Sequence, residues 1–205
     1  MGLLDKRRER KAAAVLEMHQ QAIALLEWMI DDSQSQPGVD APDFEEKKGE
    51  RTFAILTGGV ALIEPRRQTG TYRGRSSGSS VRIVKGFYLR SGGSTGTYVP
   101  GPEVPVPIDR GTAFVTNQRV VFRGEMATRE WAWSKLISLD HSDTQPLTRL
   151  PVSNRQKTSG ILYDKPNTPL IRYRLAQGLA HYQGAVDALT TDLRNELAEL
   201  RAGDA

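Results

Sequence analysis

The 205-residue chain is 38% hydrophobic and carries a formal charge of +4, which provides for one core of ordinary domain size and is too modest to announce a nucleic-acid binder. It has no cysteine, so disulfide frameworks, thiolate zinc sites and thiol nucleophiles are excluded together, and a reducing compartment fits. Its apolar runs are too short to span a bilayer, and Asp5 and Lys6 stand where a signal peptide needs its apolar core; a soluble, cytoplasmic protein is expected.

Residues 4–30 read as a helix, because Val15, Met18, Ala22, Leu25 and Met29 recur three and four apart with no Pro or Gly between them. Lys6, Arg7, Arg8, Arg10 and Lys11 precede this stripe. That layout suits packing on another helix, the chain's own C-terminal one or that of a second copy, and it also suits a membrane-surface helix. Lys6 occupies the place where N-myristoylation wants Ser or Thr. Residues 31–42, with Ser33, Ser35, Pro37, Gly38 and Pro42, read as a loop by turn chemistry. The division expected is an amphipathic helix over 1–31, an acidic linker over 32–49 and a domain over 50–201.

From Glu50 onward the pattern is of strands punctuated by Gly, Pro and Ser: 52–57, 60–63, 81–90, 111–124, 128–133, 136–139, 147–152, 160–163 and 170–173. Residues 176–201 read as one terminal helix, with Leu179, Tyr182, Val186, Leu189, Leu193 and Leu200 near heptad spacing. The fold class expected is α+β: a small β-barrel or sandwich capped by a C-terminal helix, with an additional N-terminal helix.

Residues 111–124 are the most specific stretch. Two runs rich in β-branched and aromatic residues flank Asn117-Gln118, which predicts a two-residue hairpin turn with Phe114 and Phe122 in the interior. Gly111, Thr116, Asn117, Arg119, Phe122 and Gly124 in this order resemble the hairpin of GRAM and bacterial PH-like domains. The resemblance is closest over residues 109–139 and looser from 50 to the C-terminus. It implies a PH-type barrel plugged by its last helix, recognition of membrane lipid or protein, and no catalysis or cofactor. In lipid-binding PH domains basic residues near the first strands contact inositol phosphates; Arg82, Lys85 and Arg90 lie in the corresponding region, without the family's Lys-x-Arg arrangement.

Charge placement supports an anion site there. Arg66, Arg67, Arg73, Arg75, Arg82 and Lys85 face a single acid, Glu64, and should form one positive surface beside a Gly/Ser loop able to cradle phosphate. The acids Asp40, Asp43, Glu45 and Glu46 read as solvated linker charge or as a lid over those cations. Gly74-Arg75-Ser76-Ser77-Gly78 matches the nucleophile-elbow pattern, but a polar segment precedes it and a strand follows, which argues against a Ser hydrolase. His19, His141 and His181 lack ligand-like neighbours, so no metal site is expected. Trp131 and Trp133, two apart on a strand, point to one face and to the core.

The function expected is a non-enzymatic interaction module that binds a protein partner or an anionic membrane surface and forms homo-oligomers through a terminal helix. The alternative is a nucleic-acid-associated protein using residues 66–90, although that region has no recognition helix and no interleaved aromatic code.

Overall fold

The computed structural model describes residues 3–35, 38–84 and 87–202, with side chains described at 13–35, 38–71 and 99–202. The chain forms α1 (Leu3–Ser35), β1 (Thr52–Leu56), β2 (Ala61–Arg67), β3 (Thr71–Val84), β4 (Phe87–Val99), β5 (Glu103–Thr116), β6 (Arg119–Gly124), β7 (Thr128–Ala132), β8 (Asp140–His141), β9 (Leu147–Leu150), β10 (Ser159–Leu162), α2 (Thr168–Gln183) and α3 (Val186–Ala202). The α+β class holds.

The sheet is antiparallel, eight-stranded and sharply bent, and β5 belongs to both of its halves. Residues 113–116 of β5 pair with β1 on one side, and 111–115 pair with β6 on the other. Residues 103–110 pair with β2, and the order then runs β2-β10-β9-β8. β1 and β2 thus lie end to end along one edge of β5. The kink between them falls at Gly58 and Gly59, whose φ values of 68° and 81° only glycine adopts without strain. Among the described residues the two ends, β7 and β8, do not pair with each other, so the sheet is open where a closed barrel is one of the expectations.

The two halves fold over one core. Leu62, Val115, Val120, Phe122, Trp131, Trp133, Leu150 and Ile161 meet Ile171 and Leu175 of α2 there. The Trp131 indole donates to Ser159 Oγ at 3.0 Å and that of Trp133 to the Thr116 carbonyl at 2.8 Å, so burial of both rings leaves no N–H unpaired. Gly178 lets α2 approach closely, because a Cβ there would stand 2.7 Å from the Thr116 carbonyl oxygen. Gly111 and Gly124 are cross-strand partners, and a Cβ on Gly111 would fall 2.0 Å from the Arg123 carbonyl oxygen. Gly111→Ala is therefore expected to cost about 1–3 kcal/mol in urea denaturation through forced backbone displacement; an unchanged midpoint would show that this ladder yields freely.

Five expectations are corrected. The helix runs on to Ser35, because the polar residues read as a loop are anchors: Ser33 Oγ donates to the Ile30 carbonyl and lies 2.8 Å from Thr190 Oγ1, and Asp32 is buried among donors from α2. The supposed linker is docked, with Phe44 buried and stacked on Phe114 at 4.6 Å. Residues 170–173 are helix, since Pro169 opens α2 and Ile171, Leu175 and Leu179 bury at i, i+4 spacing. The terminal helix is two helices, broken at Gly184 in the left-handed region (φ 67°). Residues 136–139 form no strand, apart from a single bridge from Leu136 to Val152.

β3 and β4 pair with each other alone, as a two-stranded ribbon. Its register continues that of β2 and β5: Ile63↔Pro107, Arg67↔Glu103, Thr71↔Val99 and Arg82↔Tyr88 all belong to one unshifted ladder. The Gln68 amide, donating to the Pro102 carbonyl at 3.0 Å, spans the gap. Fourteen residues of β3 extend about 45 Å at the usual strand rise. The Gly/Ser stretch expected as a loop is thus strand, and the run expected as one strand over 81–90 is divided between β3 and β4, with residues 85–86 outside the described residues.

Candidate interaction surfaces

The family-like hairpin turns at Asn117-Gln118 as expected. Phe114 and Phe122 are both buried but on opposite faces: Phe122 enters the central core, whereas Phe114 joins Phe44 and Val121 in a smaller cluster beneath residues 38–50. The polar members of the motif hold that segment in place. Asn117 accepts from the Arg51 amide at 2.8 Å and donates to the Gly49 carbonyl at 3.1 Å, and Gln118 donates to the Lys48 carbonyl at 3.1 Å. The Thr116 hydroxyl lies 2.7 Å from Glu50 Oε1 and accepts the amides of Gln118 and Arg119.

Arg119 is the electrostatic centre of the motif. Its guanidinium meets both carboxylate oxygens of Glu50, at 2.8 and 3.0 Å, and Glu130 at 2.8 Å, and it lies over the Phe44 ring. The Glu50 side chain is fully buried. Burial alone would raise its pKa, but Arg119, the Lys47 amide and the Thr116 hydroxyl hold it below the ordinary carboxylate value. Glu130 is lowered in the same way against its own desolvation, by Lys47 and Arg119. Glu46, expected as solvated charge, accepts from the Thr52 amide and hydroxyl. Glu46 and Glu50 therefore answer Thr52, Thr116 and Arg119, and the lid over the cations of residues 66–90 is not what they form. Asp109 is similarly employed: burial opposes its charge, but the amides of Met126, Ala127 and Arg110 pull its pKa down. These motif residues build the fold.

The predicted cations divide. Arg66 and Arg67 are exposed at the end of β2, where Arg67 faces Glu103 at 3.9 Å, and Glu64 pairs with Arg129 at 2.6 Å. The backbone register places positions 73 and 75 of β3 opposite Thr97 and Thr95, position 90 opposite Ser80 and position 82 opposite Tyr88. Strand alternation then puts 73 and 75 on one face of the ribbon, and 82 and 90 on the other. The side chains of Arg73, Arg75, Arg82 and Arg90 lie outside those described, as does Lys85 altogether. The elbow-like run of residues 74–78 sits inside β3, which removes the strand-to-helix turn a nucleophile elbow needs.

A second surface was not anticipated. Between α1, α2 and α3 lies a groove of about 780 Å³, walled by Ala22, Leu25 and Met29 of α1, Tyr173 and Ala176 of α2, and Leu189 and Leu193 of α3. Polar groups close one end: Thr168 and Arg172 from the first turns of α2, His141, and Glu196 and Glu199 of α3. Arg172 donates to the Ser142 carbonyl at 2.6 Å, but its buried Nε and the buried Thr168 hydroxyl have no hydrogen-bond partner among the described residues. His141, 2.8 Å from Thr148 Oγ1, is kept below its ordinary pKa by burial and by Arg172. α1 and the α2–α3 pair, more than 130 residues apart, build this groove, and its traces in the sequence are the α1 stripe and the Leu189, Leu193 and Leu200 spacing of the terminal segment.

Among the described residues no group of His, Asp or Glu is arranged to hold a metal ion, and no helix is long and apolar enough to cross a membrane. His181 stacks on Phe53 at 4.3 Å. Comparison with family models, with curated proteins and with solved structures finds no match for this chain.

Proposed function

We propose that the protein is a non-enzymatic, PH-like interaction module that contacts an anionic membrane surface peripherally through the tip of the β3–β4 ribbon. The observation that carries this reading is the unbroken register from β2/β5 into β3/β4. It makes the ribbon a continuation of the β2/β5 ladder, paired strand to strand, where a loop would have no register. The order of elements supports the PH-like assignment: a meander of β1/β2, β5, β6 and β7, then β8 to β10, then α2 across the core. The ribbon springs from between the first two strands of that meander, the region where the resembling family holds its anion-contacting cations.

The composition of the ribbon points to lipid. Its shaft is rich in Gly, Ser and Thr, whereas residues 81–90 read Val-Arg-Ile-Val-Lys-Gly-Phe-Tyr-Leu-Arg, six apolar or aromatic residues with three cations and no acid. Aromatic and aliphatic groups beside Lys and Arg are what the headgroup boundary accepts, each cation contributing about 1 kcal/mol near an anionic surface.

Pelleting with vesicles containing anionic lipid, against neutral vesicles, tests the reading. The protein should pellet with anionic vesicles only, and less as salt is raised. Replacing Arg82 and Arg90 by Ser should weaken binding about thirtyfold, the equivalent of about 2 kcal/mol, and more than the same change at Arg73 and Arg75 on the shaft. A parent protein that stays in the supernatant with both vesicles would refute membrane contact and leave a protein partner as the reading.

A further inference from the structure

α1 is longer than its support. It runs antiparallel to α3, with Ser33 against Thr190 and Glu27 paired with Arg201, and α3 ends at Ala202. The N-terminal residues of α1 therefore continue past the last turn of α3, a span of about 30 Å at 1.5 Å per residue. Val15 is 64% exposed and Met18 66%. A solitary helix of this length is marginal in water, and its apolar side chains make it more so.

The same stripe continues into the groove. Val15 and Met18 are exposed, and Ala22, Leu25 and Met29, the next positions of one 3-4 spacing, form the groove wall. Charge is divided to match: Lys6, Arg7, Arg8, Arg10 and Lys11 lie at the free end of α1, and Glu196 and Glu199 stand at the groove's polar end.

We propose that the groove receives the N-terminal half of α1 from a second copy of this chain, in an isologous antiparallel dimer in which Met18 of each copy packs opposite Ala22 of the other. This register sets Val15 opposite Leu25 and Lys11 opposite Met29, which keeps the apolar layers together and brings Arg10 and Lys11, the last two cations of the basic cluster, within about one turn of Glu196 on the other copy. A two-fold axis does this twice, so one contact covers both exposed stripes and both grooves. Acceptors on the incoming helix would also meet the unpartnered Arg172 Nε and Thr168 hydroxyl.

The full chain, measured by light scattering across a concentration series, should give twice the protomer mass of 22.7 kDa. Met18→Glu should yield a monomer whose folded body is intact and whose helicity falls by no more than the unsupported N-terminal part of α1, because that side chain is exposed within one copy. Glu196→Lys with Glu199→Lys should weaken the dimer most at low salt. The chain lacks cysteine, so a mixture of Met18→Cys and Ala22→Cys chains should form the mixed disulfide in preference to the 18–18 one. A parent of protomer mass, a Met18→Glu variant that remains dimeric, or cross-linking at 18–18 alone would overturn the proposal.

Discussion

Glu50→Ala is expected to destabilise the fold by about 3–5 kcal/mol, a large share of the stability of an ordinary domain. The Glu50 side chain is completely buried and that of Arg119 is 10% exposed. Removing the carboxylate leaves the guanidinium with Glu130, the Glu45 carbonyl and the Phe44 ring, leaves the Lys47 amide without its acceptor, and leaves the Thr116 hydroxyl with the Arg119 carbonyl in place of a carboxylate. The loss is greater than the worth of the pair itself, because desolvation of Arg119 is no longer offset. Changing both partners, as Glu50→Leu with Arg119→Met, should therefore recover part of the loss. The acid side of the stability profile carries a second signature. The folded-state pKa of Glu50 lies below its ordinary value of 4.5, so its contribution is complete above that value and disappears as pH falls through the folded-state value. Urea denaturation at neutral pH and along an acid series would show the parent losing stability across that window and Glu50→Ala losing less. Equal acid profiles would mean that the pair adds nothing to folding.

What was legible in the sequence had a local cause. The hairpin at Asn117-Gln118, the strands around it and the burial of Trp131 follow from alternation and turn chemistry within a dozen residues; Trp133 is buried as expected, but from a 3-10 turn just past the end of β7. What was illegible depended on partners far away. Asp32 fell within the stretch read as a linker and the pairing of Glu50 went unread, because Arg174 and Arg119 lie 142 and 69 residues downstream, and no spacing rule connects them. Phe114 was placed in the interior correctly, but its face was not, since residues 38–50 give the outer side of β5 and β6 a core of its own. The ribbon escaped because its strands are rich in Gly and Ser and have no apolar alternation; their pairing is inherited from the ladder of β2 and β5. The run Leu170-Ile171-Arg172-Tyr173 alternates like a strand, yet its burial continues at Leu175, and only the longer window shows the helical period. The groove was foreshadowed by two stripes, that of α1 and the Leu189, Leu193 and Leu200 spacing, but the exposure of the first half of the α1 stripe, Val15 and Met18, within the protomer was not.

Asp32→Ala is the second change of comparable size, about 3–5 kcal/mol, and its effect should be regional. Asp32 is 7% exposed near the end of α1 and gathers three side chains of α2. Its Oδ2 accepts from the Tyr173 hydroxyl at 2.6 Å, Arg174 at 2.6 Å and Gln177 at 2.9 Å. Arg174 also lies over Trp28, and the Tyr173 hydroxyl is 3.0 Å from the Met29 carbonyl oxygen. Burial raises the Tyr173 phenol pKa, and Asp32 raises it further, so the phenol is kept protonated as the donor to this carboxylate. Without the carboxylate, Arg174 is a charge held at 12% exposure with, among the described residues, Gln177 and the ring faces beside it. The opposite face of α2 is unaffected, since Ile171 and Leu175 remain in the core of the sheet. Hydrogen exchange should therefore accelerate over residues 13–35 and 186–202, while the amides of β5 and β6 keep their protection. Uniform acceleration over the whole chain would show instead that the helical layer and the sheet unfold as one unit, with Asp32 as a support of both.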